Sequence, residues 1–248
     1  MDSNCDGENG MSGLRRFFTH KVEEFTEITG DEYSHAVNTL RLGAGDEIIL
    51  CDNSGWDYIC DIIEVGKKSF IAKLKSKIKN DTETTNAVTL LCGYLKGDKT
   101  EYVVQKAVEL GVRGIIVFSS EYCSAYMNDN KLSRLNKVSV EAAKQCGRSI
   151  APKVVYKEDF SSAVSSVMDY KNRLFFYENK TNYATHISAL NGDCALVIGS
   201  EGGFSEKEAA AAKNEGFVTV SLGRRILRAD TAAVCALSVV MHELGELE

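Results

Sequence analysis

Three short segments carry residue types able to do chemistry, and each follows an apolar run that reads as a strand. The first is Ile198-Gly199-Ser200-Glu201-Gly202-Gly203-Phe204. Its glycines let a backbone approach a ligand closely and adopt positive φ. It is not GxGxxG and lacks the Lys and Ser/Thr of a triphosphate loop, so ordinary dinucleotide or triphosphate binding is disfavoured. Taken alone, such a turn is more often a tight connection with no ligand. The second segment runs from Ser221 to Thr231, SLGRRILRADT. Arg224, Arg225 and Arg228 make it an anion-facing loop, while Leu222, Ile226 and Leu227 can wall an apolar pocket. Asp230 or Thr231 is placed to cap the helix that follows. The third segment is Tyr177-Glu178, at the end of LFFYEN. In open parallel sheets, ligands bind beyond the carboxyl ends of strands, where three such segments would converge.

The elements that must position them follow a regular pattern from residue 87 onward. AVTLLCGYL, GIIVFSS, RLFFYEN, CALVIGS and FVTVSLG read as strands. KTEYVVQKAVELGV, ending at Gly111, reads as an amphipathic helix. So do NKLSRLNKVSVEAAKQCGR, SEKEAAAAKNEG and ADTAAVCALSVVMHELG, with Ser205 and Glu208 forming a capping box on the third helix. Strands alternating with helices predict an α/β domain with a parallel sheet covered on both faces. The chain before residue 80 is β-rich, with a hairpin turning at Asn53-Ser54-Gly55. Lys73, Lys75, Lys77 and Lys79 recur at period two and are expected on one strand face. That face suits either RNA contact or protection of a solvated edge. NDTETTN, residues 80–86, is the linker candidate, which gives domains at 13–80 and 87–248. The acidic, Gly-rich residues 1–12 read as a flexible leader, or as sequence upstream of a start at Met11.

Composition removes several classes. The 248 residues are 44% apolar and 26% charged, as in ordinary globular chains. No apolar run approaches the roughly 20 residues that span a bilayer, and the N-terminus is unlike a secretory signal, so a cytoplasmic location is expected. The eight cysteines form no CxxC pair, and no histidine brackets them at zinc-ligand spacing. They read as small reduced hydrophobes, and no metal is implied. A net charge of −6 argues against indiscriminate RNA binding. Six lysines and no acid between Lys67 and Lys79 leave room for a local basic face.

In order, GYLKGDKTEYVVQKAVELGV, EAAKQCGRSIAPKV, LVIGSEGGFSEKE and VSLGRRILRADTAAV resemble the ribosomal RNA small subunit methyltransferase E family. The N-terminal pieces LRRFF and HAVNTLRLGAGDEI agree, and the resemblance covers roughly residues 13 to 244. It implies a PUA-like β-barrel followed by a SPOUT α/β domain whose parallel sheet carries a deep trefoil knot, a feature that general topology rules disfavour. It further implies S-adenosylmethionine (SAM) as cofactor, a homodimer, and methylation of N3 of a uridine in small-subunit ribosomal RNA within the assembled 30S subunit.

Carried over by position, the resemblance implies cofactor contacts from Tyr177, Glu178, Ile198, Gly199, Glu201, Gly202 and Gly203, and from Leu222, Gly223, Ile226, Leu227, Arg228 and Thr231. Arg15, Arg16, Arg224, Arg225 and Arg148 join Lys73, Lys75 and Lys77 as RNA-facing candidates, although Arg148 can equally pin its helix to a neighbour. For catalysis, Arg228 is expected to stabilise charge on the imide, with Glu201 or Asp230 accepting its proton. Three positions depart from the family: Ser200 where Pro is usual, Ala229-Asp230 where Thr-Glu is usual, and Tyr122 where an arginine is common. Another SPOUT enzyme acting on a ribose hydroxyl or on tRNA is the competing catalytic reading. A non-catalytic RNA-binding assembly factor is the competing class.

Overall fold

The computed structural model describes residues 13–177, 187 and 190–247. The leader expected over residues 1–12 lies outside the described residues. The chain forms two compact units: residues up to Glu83 together with Lys144–Ile150, and Thr84–Ala143 together with the chain from Ala151 onward.

The first unit is a five-stranded sheet of β1 (Arg15–Phe18), β2 (Phe25–Thr29), β3 (Glu47–Cys51), β4 (Trp56–Val65) and β5 (Ser69–Lys79), in the order β1-β3-β4-β5-β2. Pairing is antiparallel except between β1 and β3. Phe17, Ile48, Leu50, Ile62, Phe70 and Ala72 close its core. β3 and β4 form the expected hairpin, with Asn53 (φ 62°) and Gly55 (φ 81°) supplying the left-handed turn positions.

The four lysines of β5 do not share one face. Ile59 stands opposite Ser76 and Cys60 opposite Leu74, which leaves Lys75 as the extra residue of a β-bulge. One extra residue reverses the two-residue alternation beyond it. Lys75 therefore sits with Lys73 and pairs with Glu47 and Asp61. Lys77 turns to the opposite face, 4.4 Å from the Trp56 ring centroid and 5.1 Å from that of Tyr58.

The second unit holds β6 (Val88–Gly93), α2 (Lys99–Glu109), β7 (Gly114–Phe118), α3 (Asp129–Cys146), β8 (Val154–Lys157) and α4 (Phe160–Ser165). It continues with β9 (Asn172–Phe176), β10 (Cys194–Ile198), α5 (Glu206–Asn214), β11 (Val218–Val220) and α6 (Ala229–Glu243). A shorter α1 (Gly30–Tyr33) precedes these helices in the first unit. The sheet order is β11-β9-β10-β6-β7-β8, parallel throughout. It has six strands where the sequence pattern yielded five. The missed strand is β8, VVYK, which is short and has one buried residue, so it shows no apolar run. β10 is buried along its whole length, which explains its unbroken apolar sequence.

The sheet extends from β6 through β7 and β8 on one side and through β10, β9 and β11 on the other. The chain leaves β6 for β7 and leaves the adjacent β10 for β11, on opposite sides. The connections after β6 and β10 therefore diverge and open a crevice at the carboxyl end of the sheet. Beneath it lies a cluster of aromatic rings. Phe204 lies 4.5 Å from Phe175 and 5.5 Å from Phe160, centroid to centroid. α5 begins with the expected capping box, Ser205 and Glu208 bonding reciprocally. α6 begins at Ala229, as its sequence pattern implied, but neither Asp230 nor Thr231 is its cap. Its cap position is Arg228, in extended backbone with no side-chain cap bond, so Asp230 and Thr231 fall inside the first turn. There Asp230 favours the positive end of the helix dipole without capping it. Among the described residues, no helix is long and apolar enough to cross a membrane.

Candidate active site

A cavity of about 580 Å³ occupies the carboxyl end of the second sheet, and the loops singled out by their glycines and arginines form its wall. The end of β9 contributes Phe176 and Tyr177. The β10 loop contributes Ile198, Gly199, Ser200, Glu201, Gly203 and Phe204. The segment after β11 contributes Ser221, Leu222, Gly223, Arg225, Ile226, Leu227 and Arg228. Ala229 and Ala232, in the first turn of α6, complete it together with Lys99 at the start of α2.

Close backbone approach explains the glycines. A Cβ on Gly93, the last residue of β6, would stand 2.4 Å from the Ser200 amide nitrogen. On Gly199 it would meet the Phe204 ring at 3.0 Å, and on Gly202 it would meet the Cβ of Tyr122 at 2.6 Å. Gly203 has φ of 70° and donates its N–H to the Ser200 carbonyl, which closes the turn. Ser200 shares a 2.9 Å hydrogen bond with the Ser120 hydroxyl, and both residues are buried.

Glu201 is the carboxylate on the cavity wall. It accepts hydrogen bonds from the Lys96 N–H and the Lys99 ammonium, each at 3.1 Å. Burial pushes this carboxyl up, but Lys99 and the backbone amides of Lys96 and Glu201 outweigh burial and hold it below its ordinary value. Lys99 is held in turn by a pinned connection, in which the Thr100 hydroxyl accepts from the Leu95 N–H and donates to the Leu95 carbonyl. Sequence reading passed over Lys99, which lies about a hundred positions from the carboxylate it meets. The available signal was the polar KGDKT directly after an apolar strand.

Other expected residues fall elsewhere. Gly202 faces Tyr122 and is absent from the cavity wall, Thr231 is exposed, and the Asp230 carboxylate accepts its neighbour's N–H from Thr231. Glu178 lies outside the described residues. Arg16 is engaged by a carboxylate of its own unit. Its guanidinium is bound to both carboxylate oxygens of Asp57, and side-chain exposures are 10% and 7%. Burial would lower the Arg16 pKa, but the bonds to Asp57 and Cys51 raise it above its usual value. Arg148 is likewise unavailable: it is 2% exposed and grips Glu83, whose other oxygen takes the N–H groups of Ser149 and Ile150. Arg15, Lys73, Lys77, Arg224 and Arg225 are exposed, while Lys75 is engaged by two carboxylates. Burial pushes the thiols of Cys51, Cys60, Cys92 and Cys194 to about 12, so these cysteines stay protonated and are poor nucleophiles. Among the described residues, no group of His, Cys, Asp and Glu could hold a metal ion.

Residues 82–241 match the family model described as an RNA methyltransferase domain, and residues 28–75 match an RNA methyltransferase PUA domain. The first unit is accordingly PUA-like, and the parallel sheet of the second is of the SPOUT type. The chain is 29% identical to the Bacillus subtilis ribosomal RNA small subunit methyltransferase E, covering 93% of this chain and 97% of that one. It is 30% identical to the Mesomycoplasma hyopneumoniae protein of the same name, over 91% and 98% of the two chains. Its fold is similar to that of the Neisseria gonorrhoeae ribosomal RNA small subunit methyltransferase E solved with S-adenosyl methionine, with TM-score 0.84, 25% identity and coverage of 93% and 98%. A Legionella pneumophila methyltransferase, solved with bound SAM, is similar at TM-score 0.84 and 26% identity, over 92% and 97% of the two chains. With a family model matching most of its length and relatives aligned nearly from end to end, this chain belongs to the ribosomal RNA small subunit methyltransferase E family.

Proposed function

We propose that this protein transfers a methyl group from SAM to N3 of a uridine in small-subunit ribosomal RNA. The observation that carries the reading is the cavity itself: three strand-end loops converge on one pocket that has an apolar wall, a paired carboxylate and three cations, Lys99, Arg225 and Arg228. The size suits a small-molecule cofactor, since such pockets span about 300–1,000 Å³. The close approaches at Gly93 and Gly199 bring backbone, with its donors and acceptors, up to that pocket. When bound, SAM supplies an activated methyl group, so the protein's task is alignment and control of charge.

Tyr177, Leu222, Ile226 and Leu227 would flank the adenine, with backbone groups of the Gly199–Gly203 and Leu222–Gly223 stretches holding its polar edge. The imide proton must leave as N3 attacks, and its charge then spreads to O2 and O4. Arg228 is the cation assigned to that charge. Between the two candidate acids, placement favours Glu201 as proton acceptor, since it lies on the wall and Asp230 does not. Arg15, Lys73, Lys77, Arg224 and Arg225 remain free of the ion pairs that occupy Arg16 and Arg148 and are the phosphate-facing candidates.

The same reading extends to the features implied by family resemblance: domains at 13–80 and 87–248, a trefoil knot in the second, a homodimer, the assembled small subunit as substrate, and a cytoplasmic location. Calorimetric titration with SAM, then methyl transfer to small subunits lacking the modification, tests the proposal. Binding together with transfer to uridine supports it, and no binding of SAM overturns it.

A further inference from the structure

Tyr126 is 86% exposed and Tyr122 is 53% exposed, both in the connection that leaves the carboxyl end of β7. Exposed rings are usual on mobile loops, but this loop is braced throughout. The Ser120 hydroxyl bonds that of Ser200, and the Glu121 N–H donates to buried Glu208 at 3.0 Å. Tyr122 packs directly on Gly202, whose two neighbours, Glu201 and Gly203, line the cavity. The Cys123 thiol donates to the Tyr94 carbonyl, and the Lys131 ammonium donates to the Tyr126 carbonyl at 2.6 Å. Two aromatic side chains are thus displayed to solvent from a fixed backbone next to the reaction cavity.

RNA bases that must reach an enzyme are splayed from their helix, and unstacked bases find substitutes on aromatic side chains. Stacking tolerates any base and needs no positive charge, which suits a chain of net charge −6. We propose that Tyr122 and Tyr126 form a stacking platform for nucleobases flanking the methylated residue. The proposal rests on the RNA methyltransferase reading of the adjacent cavity.

The test compares wild type, Tyr122→Ala/Tyr126→Ala and Tyr122→Phe/Tyr126→Phe for binding of a fluorophore-labelled single-stranded oligoribonucleotide, SAM affinity, methyl transfer and sedimentation. The double alanine variant is expected to bind RNA about tenfold more weakly, with SAM affinity unchanged and the phenylalanine variant close to wild type. Equal RNA affinity in wild type and double alanine variant overturns the platform. So does weakened binding that accompanies dissociation into monomers, which would make this loop a contact between copies. A wild type that binds RNA through these tyrosines but transfers no methyl group supports the platform and overturns the methyltransferase reading alone.

Discussion

A Cβ on Gly93 would stand 2.4 Å from the backbone nitrogen of Ser200, so the end of β6 is shaped to admit the cavity's glycine loop. The neighbouring atoms are backbone and cannot rotate aside. Gly93→Ala is therefore expected to displace the loop, weaken SAM binding by at least about tenfold, and cost roughly 1–3 kcal/mol of stability as overpacking. Calorimetric titration and chemical denaturation read the two effects separately.

Arg148 and Glu83 form a buried pair, with side-chain exposures of 2% and 12%. Removing Arg148 leaves the Glu83 carboxylate largely buried without its guanidinium, although the N–H groups of Ser149 and Ile150 still reach it. Arg148→Ala should destabilise the protein by about 3–5 kcal/mol, measured as a fall in denaturation midpoint. The same substitution at exposed Arg224 should leave the midpoint nearly unchanged and act on RNA affinity.

Several site elements were legible in sequence because glycine and arginine clusters interrupt apolar strands, as after Ile198 and Val220. What was lost depended on pairing over distance. Arg16 looked like a free cation because Asp57, which occupies it, lies 41 positions away. The lysines of β5 kept their spacing through a bulge that spacing alone cannot reveal, because the extra residue exists only relative to β4. Lys99 was invisible for the same reason: its site is defined by Glu201.

Glu201 is held below its ordinary value by Lys99 and backbone N–H groups acting against burial. It is therefore ionised and able to accept a proton throughout neutral pH, and is neutralised only at a pH below the ordinary glutamate range. Glu201→Gln should lower kcat by about a hundredfold while SAM affinity changes little. Lys99→Met should raise the acid limb of the pH–rate profile, since it removes the cation that depresses Glu201.

Asp159 caps α4, accepting the Ser162 N–H at 2.7 Å. That bond and its neighbours hold the carboxyl below its usual value. The resulting stability is present above the unfolded value of roughly 3.9 and is lost as pH falls through the folded one. Asp159→Ala should cost about 1 kcal/mol at neutral pH, and the difference from wild type should shrink on acidification below that range.

The central claim is the reaction at N3, and it is tested most directly by nucleoside mass analysis. Small ribosomal subunits lacking their modification would be incubated with the protein and methyl-labelled SAM, then digested to nucleosides. The account predicts label in N3-methyluridine. Label on a ribose, on another base, or on none while SAM still binds would contradict it.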